Sequence, residues 1–185
     1  MAKKQAAVIR MLVLDVDGVL TDGRLYFSSS GEALKQFHVR DGLGIQQVAR
    51  AGIEVAVISG RKSRMVDVRC RELGIKHVHQ GAKDKVAVLE RLCAGLKIEA
   101  AECACVGDDL PDIPVMRKVA LAFAVADAHS EARHAAHLVT KLPGGLGAVR
   151  EVCDYLLAHR GASAAGRATA AGRATATRKA KARAA

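Results

Sequence analysis

No stretch of this 185-residue chain approaches the roughly 18 consecutive apolar residues of a membrane span, although half of its residues are hydrophobic. The opening segment, Met1-Ala2-Lys3-Lys4-Gln5-Ala6-Ala7-Val8, has basic residues but neither a long apolar region nor a cleavage-site pattern, so no secretion signal is expected. Paired cysteine spacing is missing as well. The five cysteines, Cys70, Cys93, Cys103, Cys105 and Cys153, are odd in number and contain no CxxC, which argues against a zinc site or a disulfide framework. Reduced thiols in a cytoplasm are the simplest expectation. Acidic residues are absent from 161–185, where Arg167, Arg173, Arg178, Lys179, Lys181 and Arg183 account for six of the ten net positive charges. The overall charge therefore reflects the tail more than the body, and a nucleic-acid partner is expected at most non-specifically, through that tail.

What is present suits one globular domain over residues 8–160. Strand-length apolar runs at 8–14, 54–58, 103–106 and 121–124 alternate with helical periodicity near 42–51, 63–73, 84–96, 112–119 and 144–157. That alternation predicts an α/β fold: a doubly wound, Rossmann-like parallel sheet covered on both faces, with ligands at the carboxyl ends of its strands. Residues 24–37 break it, reading as strand, Ser-Ser-Ser-Gly turn and strand, a β-hairpin inserted after the first strand. His77 and His79 alternate around a further short strand and read as structural. The tail contains two copies of Ala-Ala-Gly-Arg-Ala-Thr, at 164–169 and 170–175. With so little bulky apolar surface to offset its ordering entropy, residues 161–185 are expected to be disordered.

Four motifs carry chemistry. Asp15-Val16-Asp17-Gly18 follows an apolar strand, and Gly18 marks a turn that can bring both carboxylates to one rim. One carboxylate can attack phosphorus and a neighbouring acid can protonate a leaving alkoxide, although calcium loops and plain acidic turns use the same pattern. Ser59-Gly60-Arg61 ends the next strand, where its hydroxyl and a backbone N–H can hold phosphoryl oxygens or simply cap a helix. Lys85 opens a helix, as a phosphate ligand or a solvated side chain. Gly107-Asp108-Asp109-Leu110-Pro111-Asp112 offers hard oxygen donors suited to Mg²⁺, or is an acidic loop.

The order Asp-x-Asp, Ser, Lys, Asp-Asp along one sheet edge resembles the haloacid dehalogenase superfamily. The resemblance implies Asp15 as nucleophile and Asp17 as general acid and base, with Ser59 and Lys85 holding the phosphoryl group. It also implies Mg²⁺ bound at Asp15, Asp17 and Asp108. Asp109 is expected to orient Lys85 or support the site, and Asp112 to support it or cap a helix. The span from Asp17 to Ser59 is too short for a separate cap domain, so the fold is expected to be capless.

Further motifs narrow the branch: Asp17-Gly18-Val19-Leu20-Thr21-Asp22-Gly23, Phe37-His38-Val39-Arg40-Asp41-Gly42-Leu43-Gly44-Ile45, Ser59-Gly60-Arg61, Gly107-Asp108-Asp109, Ala124-Val125-Ala126-Asp127-Ala128 and Gly144-Gly145-Leu146-Gly147. Over roughly residues 8–160 they look like the 3-deoxy-D-manno-octulosonate 8-phosphate phosphatase family. That implies a homotetramer whose hairpin serves assembly and closure of a neighbouring site, and a sugar-acid phosphate substrate in lipopolysaccharide synthesis. By the same resemblance His38, Val39, Arg40, Asp41, Gly42, Gln46, Arg61 and Arg69 are placed at the substrate with Asp17 and Lys85. His38 stands where the family pattern has Asn. Arg61 stands where the sibling branch acting on nine-carbon sialic-type acid 9-phosphates tends to carry Glu, which favours the eight-carbon substrate. Two other readings compete: the nine-carbon phosphatase itself, and a non-catalytic scaffold or nucleic-acid-associated protein using the basic tail.

Overall fold

Residues 2–160 are described by a computed structural model of the chain; the basic tail expected to be disordered, 161–185, lies outside them. In chain order the elements are α1 (Ala2–Ala6), β1 (Met11–Leu14), β2 (Tyr26–Ser28), β3 (Gly31–Leu34), α2 (Val39–Arg50), β4 (Glu54–Ser59), α3 (Arg64–Leu73), β5 (His77–Gln80), α4 (Lys85–Leu96), β6 (Cys103–Gly107), α5 (Ile113–Met116), β7 (Leu121–Ala124), α6 (Ser130–Ala135), β8 (Leu138–Val139) and α7 (Ala148–Ala158).

Six strands form one parallel sheet in the order β5-β4-β1-β6-β7-β8. β1, β6 and β7 are buried along their whole length, as continuous apolar runs covered on both faces must be. The chain winds outward from β1 in both directions, so a crevice opens beyond the carboxyl end of β1, between β4 and β6. Register sets the rim: Leu14 pairs with both Val57 and Val106, which brings Asp15, Ser59 and Asp108 to the same edge.

Two helices seat the crevice from one side. α2 buries Asp41, Gly42, Gly44, Ile45 and Val48, and α7 buries Ala148, Val149, Val152, Cys153 and Leu156. Small residues at the α2 surface let the helices approach closely, and Arg150 N–H donates to Asp41 Oδ1 at 2.7 Å across the seam. Tyr155 on α7 meets Phe123 of β7 edge to face at 5.6 Å.

The inserted hairpin forms as expected, with β2 and β3 antiparallel and separate from the main sheet. It is followed by α2 alone before β4, so among the described residues no cap domain covers the crevice. Several boundaries differ from the sequence pattern. The periodic run at 112–119 divides into a 3-10 turn, Leu110–Asp112, and the short α5, because Pro111 and Pro114 interrupt the ladder. The run at 144–157 becomes helix only from Ala148, its glycines forming a loop. α1, α6 and β8 are too short to leave a periodic signature.

All five cysteines are free. Burial pushes the thiols of Cys103 and Cys105 up, consistent with small core residues rather than reactive ones. Among the described residues no helix is long and apolar enough to cross a membrane.

Candidate active site

The turn after β1 is built locally. Backbone N–H groups of Val19, Leu20 and Thr21 all donate to the carbonyl of Val16. The Thr21 hydroxyl donates to the same carbonyl and accepts from Gly18 and Gly23 N–H, which closes the turn on itself. Gly18 is obligatory on two counts. Its φ is +90°, and a Cβ there would lie 2.0 Å from Asp108 Oδ2. The absence of a side chain at Gly18 is what allows the acid from β6 to rest against the acid-bearing turn from β1.

Asp15 is 8 % exposed. Lys85, the first residue of α4 after the capping Asp84, brings its ammonium 2.9 Å from Asp15 Oδ1 and 2.7 Å from Asp112 Oδ1. Asp112 Oδ2 accepts from the backbone N–H groups of Asp108 and Asp109. Of the two roles expected for Asp109, orienting Lys85 or supporting the site, the first falls to Asp112. Asp109 Oδ1 accepts from Leu110 N–H at 2.7 Å and caps its own turn, while Asp112, one turn further on, reaches back to Lys85. Ser59 is buried at the last position of β4.

One carboxylate oxygen each from Asp15, Asp108 and Asp112 lies within 4.8 Å of the other two. Burial, then the charge of Asp112, pushes the Asp15 carboxyl up to about 6, against the pull of Lys85. Burial, then Asp112, Asp15 and Asp109, pushes Asp108 up to about 8. Burial opposes the charge on Lys85, but Asp15 and Asp112 outweigh it and hold the ammonium above the ordinary lysine value. Three crowded oxygen acids against one lysine leave excess negative charge, and a hard divalent cation is the partner that relieves it. The donor set fits Mg²⁺.

The carboxylate of Asp17 is not in that trio. Its Oδ1 meets Lys35, and its Oδ2 lies 3.5 Å from Arg61 Nε. Glu32 joins both bases, 3.2 Å from Lys35 and 3.1 Å from Arg61. Lys35 and Glu32 went unnoticed in the sequence, where a lysine between exposed hairpin residues carries no distinguishing signal.

The remaining expected substrate residues gather at the start of α2. His38 caps that helix, its Nδ1 accepting from Arg40 N–H at 3.3 Å, so the imidazole performs the capping that an Asn would. Val39 and Arg40 point to solvent. Asp41 is 1 % exposed and turned toward α7. Gly42 lies against Arg69, whose guanidinium pairs with Glu72 and sits 6.0 Å from the centre of the Phe37 ring. Gln46 is half-buried further along α2. An open groove of about 360 Å³ runs past Lys35, Phe37, Val39 and Arg69.

A family model described as haloacid dehalogenase-like hydrolase matches residues 75–143. The chain is 52 % identical over 157 residues to 3-deoxy-D-manno-octulosonate 8-phosphate phosphatase KdsC of Escherichia coli strain K12, covering 85 % of this chain and 84 % of that protein. The chain belongs to the 3-deoxy-D-manno-octulosonate 8-phosphate phosphatase family. Among solved members of this family, the protein from Yersinia pestis superposes with a TM-score of 0.84 at 46 % identity, covering 86 % of each chain. The Moraxella catarrhalis phosphatase, solved in complex with magnesium, phosphate and 3-deoxy-D-manno-octulosonate, gives a TM-score of 0.84 at 42 % identity, over 86 % of this chain and 91 % of that one. The parallel sheet, crevice and acid cluster described above are thus those of a haloacid dehalogenase-like member of this phosphatase family.

Proposed function

We infer that this chain is a Mg²⁺-dependent phosphomonoester hydrolase that converts 3-deoxy-D-manno-octulosonate 8-phosphate and water to 3-deoxy-D-manno-octulosonate and phosphate, in lipopolysaccharide biosynthesis. The observation that carries it is the cluster of Asp15, Lys85, Asp108 and Asp112 at the end of β1, in a chain that is 52 % identical to the E. coli phosphatase. The magnesium and sugar acid in the M. catarrhalis complex support the metal and the substrate.

Asp15 attacks phosphorus; a bond forms from its carboxylate oxygen to phosphorus and the bond to the sugar oxygen breaks. Asp17 gives its proton to that leaving oxygen, then takes one from the water that hydrolyses the aspartyl-phosphate. Ser59 and Lys85 hold the phosphoryl oxygens, the latter as a charge fixed by two acids. Asp15 and Asp108 would hold Mg²⁺, with Asp17 contributing from the same turn through an atom other than the carboxylate that Lys35 and Arg61 engage, and the ion would supply positive charge against the phosphoryl oxygens.

The sugar acid lies along the groove toward His38, Val39, Arg40, Asp41, Gly42, Gln46 and Arg69, with Arg61 at its phosphate end. Asp41 serves there by pinning α2 through Arg150. Arg61 favours the eight-carbon substrate by the resemblance alone; locally it lies between Asp17 and Glu32, where a Glu would crowd three carboxylates together.

The chain assembles as a homotetramer in the cytoplasm. Leu25, Phe27 and Leu34 expose 44 %, 65 % and 50 % of their surface on or beside the hairpin, apolar area that a neighbouring subunit would cover. Five free thiols suit a reducing compartment.

The test is phosphate release from the eight-carbon acid 8-phosphate and a nine-carbon acid 9-phosphate, with Mg²⁺ and with excess chelator. Metal-dependent turnover with a higher kcat/KM for the eight-carbon substrate is expected. A preference for the nine-carbon acid, or turnover untouched by chelation, would overturn it.

A further inference from the structure

Lys35 occupies an unusual position. Its neighbours on the hairpin point outward, Leu34 being 50 % exposed and Gln36 exposed as well, yet the Lys35 side chain is 2 % exposed. The chain at the end of β3 buries its cation and leaves the preceding leucine in water, the reverse of what burial energetics favour. The ammonium tolerates that position because it lies between two acids, Asp17 and Glu32. Arg61 completes a ring, touching Glu32 at 3.1 Å and Asp17 Oδ2 at 3.5 Å, but its side chain is 43 % exposed. The two carboxylate oxygens of Asp17 therefore differ. Oδ1 is held by a buried cation braced by Glu32, and among the described residues Oδ2 has the longer, wetter contact with Arg61.

We propose that Lys35 is a positioning residue for proton transfer: it clamps Asp17 Oδ1 so that Oδ2 faces the reacting oxygen, which makes the hairpin part of the catalytic unit of its own subunit. This rests on the reading of Asp17 as general acid and base. In the first half-reaction the proton on Oδ2 passes to the sugar oxygen as its bond to phosphorus breaks; in the second, Oδ2 takes a proton from the attacking water. Lys35 transfers nothing itself. Glu32 keeps the ammonium aimed at Asp17.

A positioning role for proton donation has a signature that a structural role lacks. The kcat/KM value reports steps up to departure of the leaving group, and p-nitrophenolate departs without a proton whereas a sugar alkoxide needs one. The experiment compares 3-deoxy-D-manno-octulosonate 8-phosphate with p-nitrophenyl phosphate for wild type, K35M, K35R, D17N and the K35M/D17N double variant. K35M is expected to lower kcat/KM for the sugar phosphate by about 10–100-fold, with a loss on p-nitrophenyl phosphate at least ten times smaller and KM for the sugar phosphate little changed. K35R should recover part of the loss, and K35M should add nothing in the D17N background, because both act on one event. Activity on p-nitrophenyl phosphate also reports that each variant is folded. Equal losses on both substrates, or additive losses in the double variant, overturn the role of Lys35 while leaving Asp17 intact. If D17N itself shows no dependence on the leaving group, the acid–base reading of Asp17 falls and this proposal with it.

Discussion

Lys85 and Asp112 are 27 residues apart in the chain, yet the ammonium of one lies 2.7 Å from the carboxylate of the other. The same carboxylate, through its second oxygen, fixes the backbone of Asp108 and Asp109. One side chain thus sets the lysine and the loop that carries the late acid. Asp112→Ala would free the lysine to pair with Asp15 alone and leave two N–H donors without their acceptor. The expected result is a fall in kcat/KM of about 10–100-fold with a raised Mg²⁺ half-saturation. A titration of activity against Mg²⁺ checks it, and an unchanged half-saturation would contradict it.

Protons and metal compete for the same acids. Asp15 and Asp108 have folded pKa values raised to about 6 and about 8, above the roughly 3.9 of an unfolded chain. Their contribution to metal-free stability is fully present below the unfolded value and is lost as pH rises through about 6 and then about 8. Metal-free protein should therefore melt at a lower temperature at pH 8.5 than at pH 6 as far as these groups are concerned. Saturating Mg²⁺ needs both acids ionised, so its stabilisation should be larger at the higher pH, by about 1–3 kcal/mol. Thermal melts with and without Mg²⁺ at the two pH values measure the difference; an equal or larger gain at pH 6 would contradict it.

The positions of Asp15, Ser59 and Asp108 were legible because each ends or follows a strand with a continuous apolar run, and parallel register then forces the three to one rim. The pairing of Lys85 with Asp112 was not. Asp109 and Asp112 are both spaced plausibly for it, and the 3-10 turn at Leu110–Asp112 decides which one turns inward. Lys35 was hidden for a different reason. Burial of a lysine between exposed hairpin residues follows from the nearby Asp17 and Glu32, a tertiary fact with no local pattern. His38 shows the reverse case, in which a departure from the family pattern keeps its local work because a ring nitrogen can cap a helix as an amide does.

Close packing of the glycine loop against the acid turn gives a stability test. A Cβ on Gly144 would lie 1.7 Å from the carbonyl oxygen of Gly18, and the Gly144 N–H donates to Asp127 Oδ1 at 2.9 Å. Gly144→Ala must displace backbone, with an expected loss of about 1–3 kcal/mol and lower activity. Gly95→Ala in α4 meets nothing within 4 Å and should be neutral or stabilising by up to about 1 kcal/mol. Denaturant melts of the pair check this; a Gly144 variant as stable as wild type would contradict it.

The exposed hairpin residues test assembly. Phe27→Glu together with Leu34→Glu places charges on apolar surface that is exposed in one subunit. Light scattering on a sizing column should show a tetramer for wild type and a smaller species for the double variant. A wild-type monomer, or a variant still tetrameric, would contradict the assembly proposed here.

Asp15 stands at the centre of the account, buried at the end of β1 with Lys85 against one oxygen and Asp108 beside it. The most direct measurement is phosphate release from 3-deoxy-D-manno-octulosonate 8-phosphate with saturating Mg²⁺, for wild type and Asp15→Asn. The amide keeps the shape and removes the nucleophile, so kcat should fall by at least about 10³-fold while the variant stays folded. Equal turnover by the two proteins would contradict Asp15 as the residue that takes the phosphoryl group.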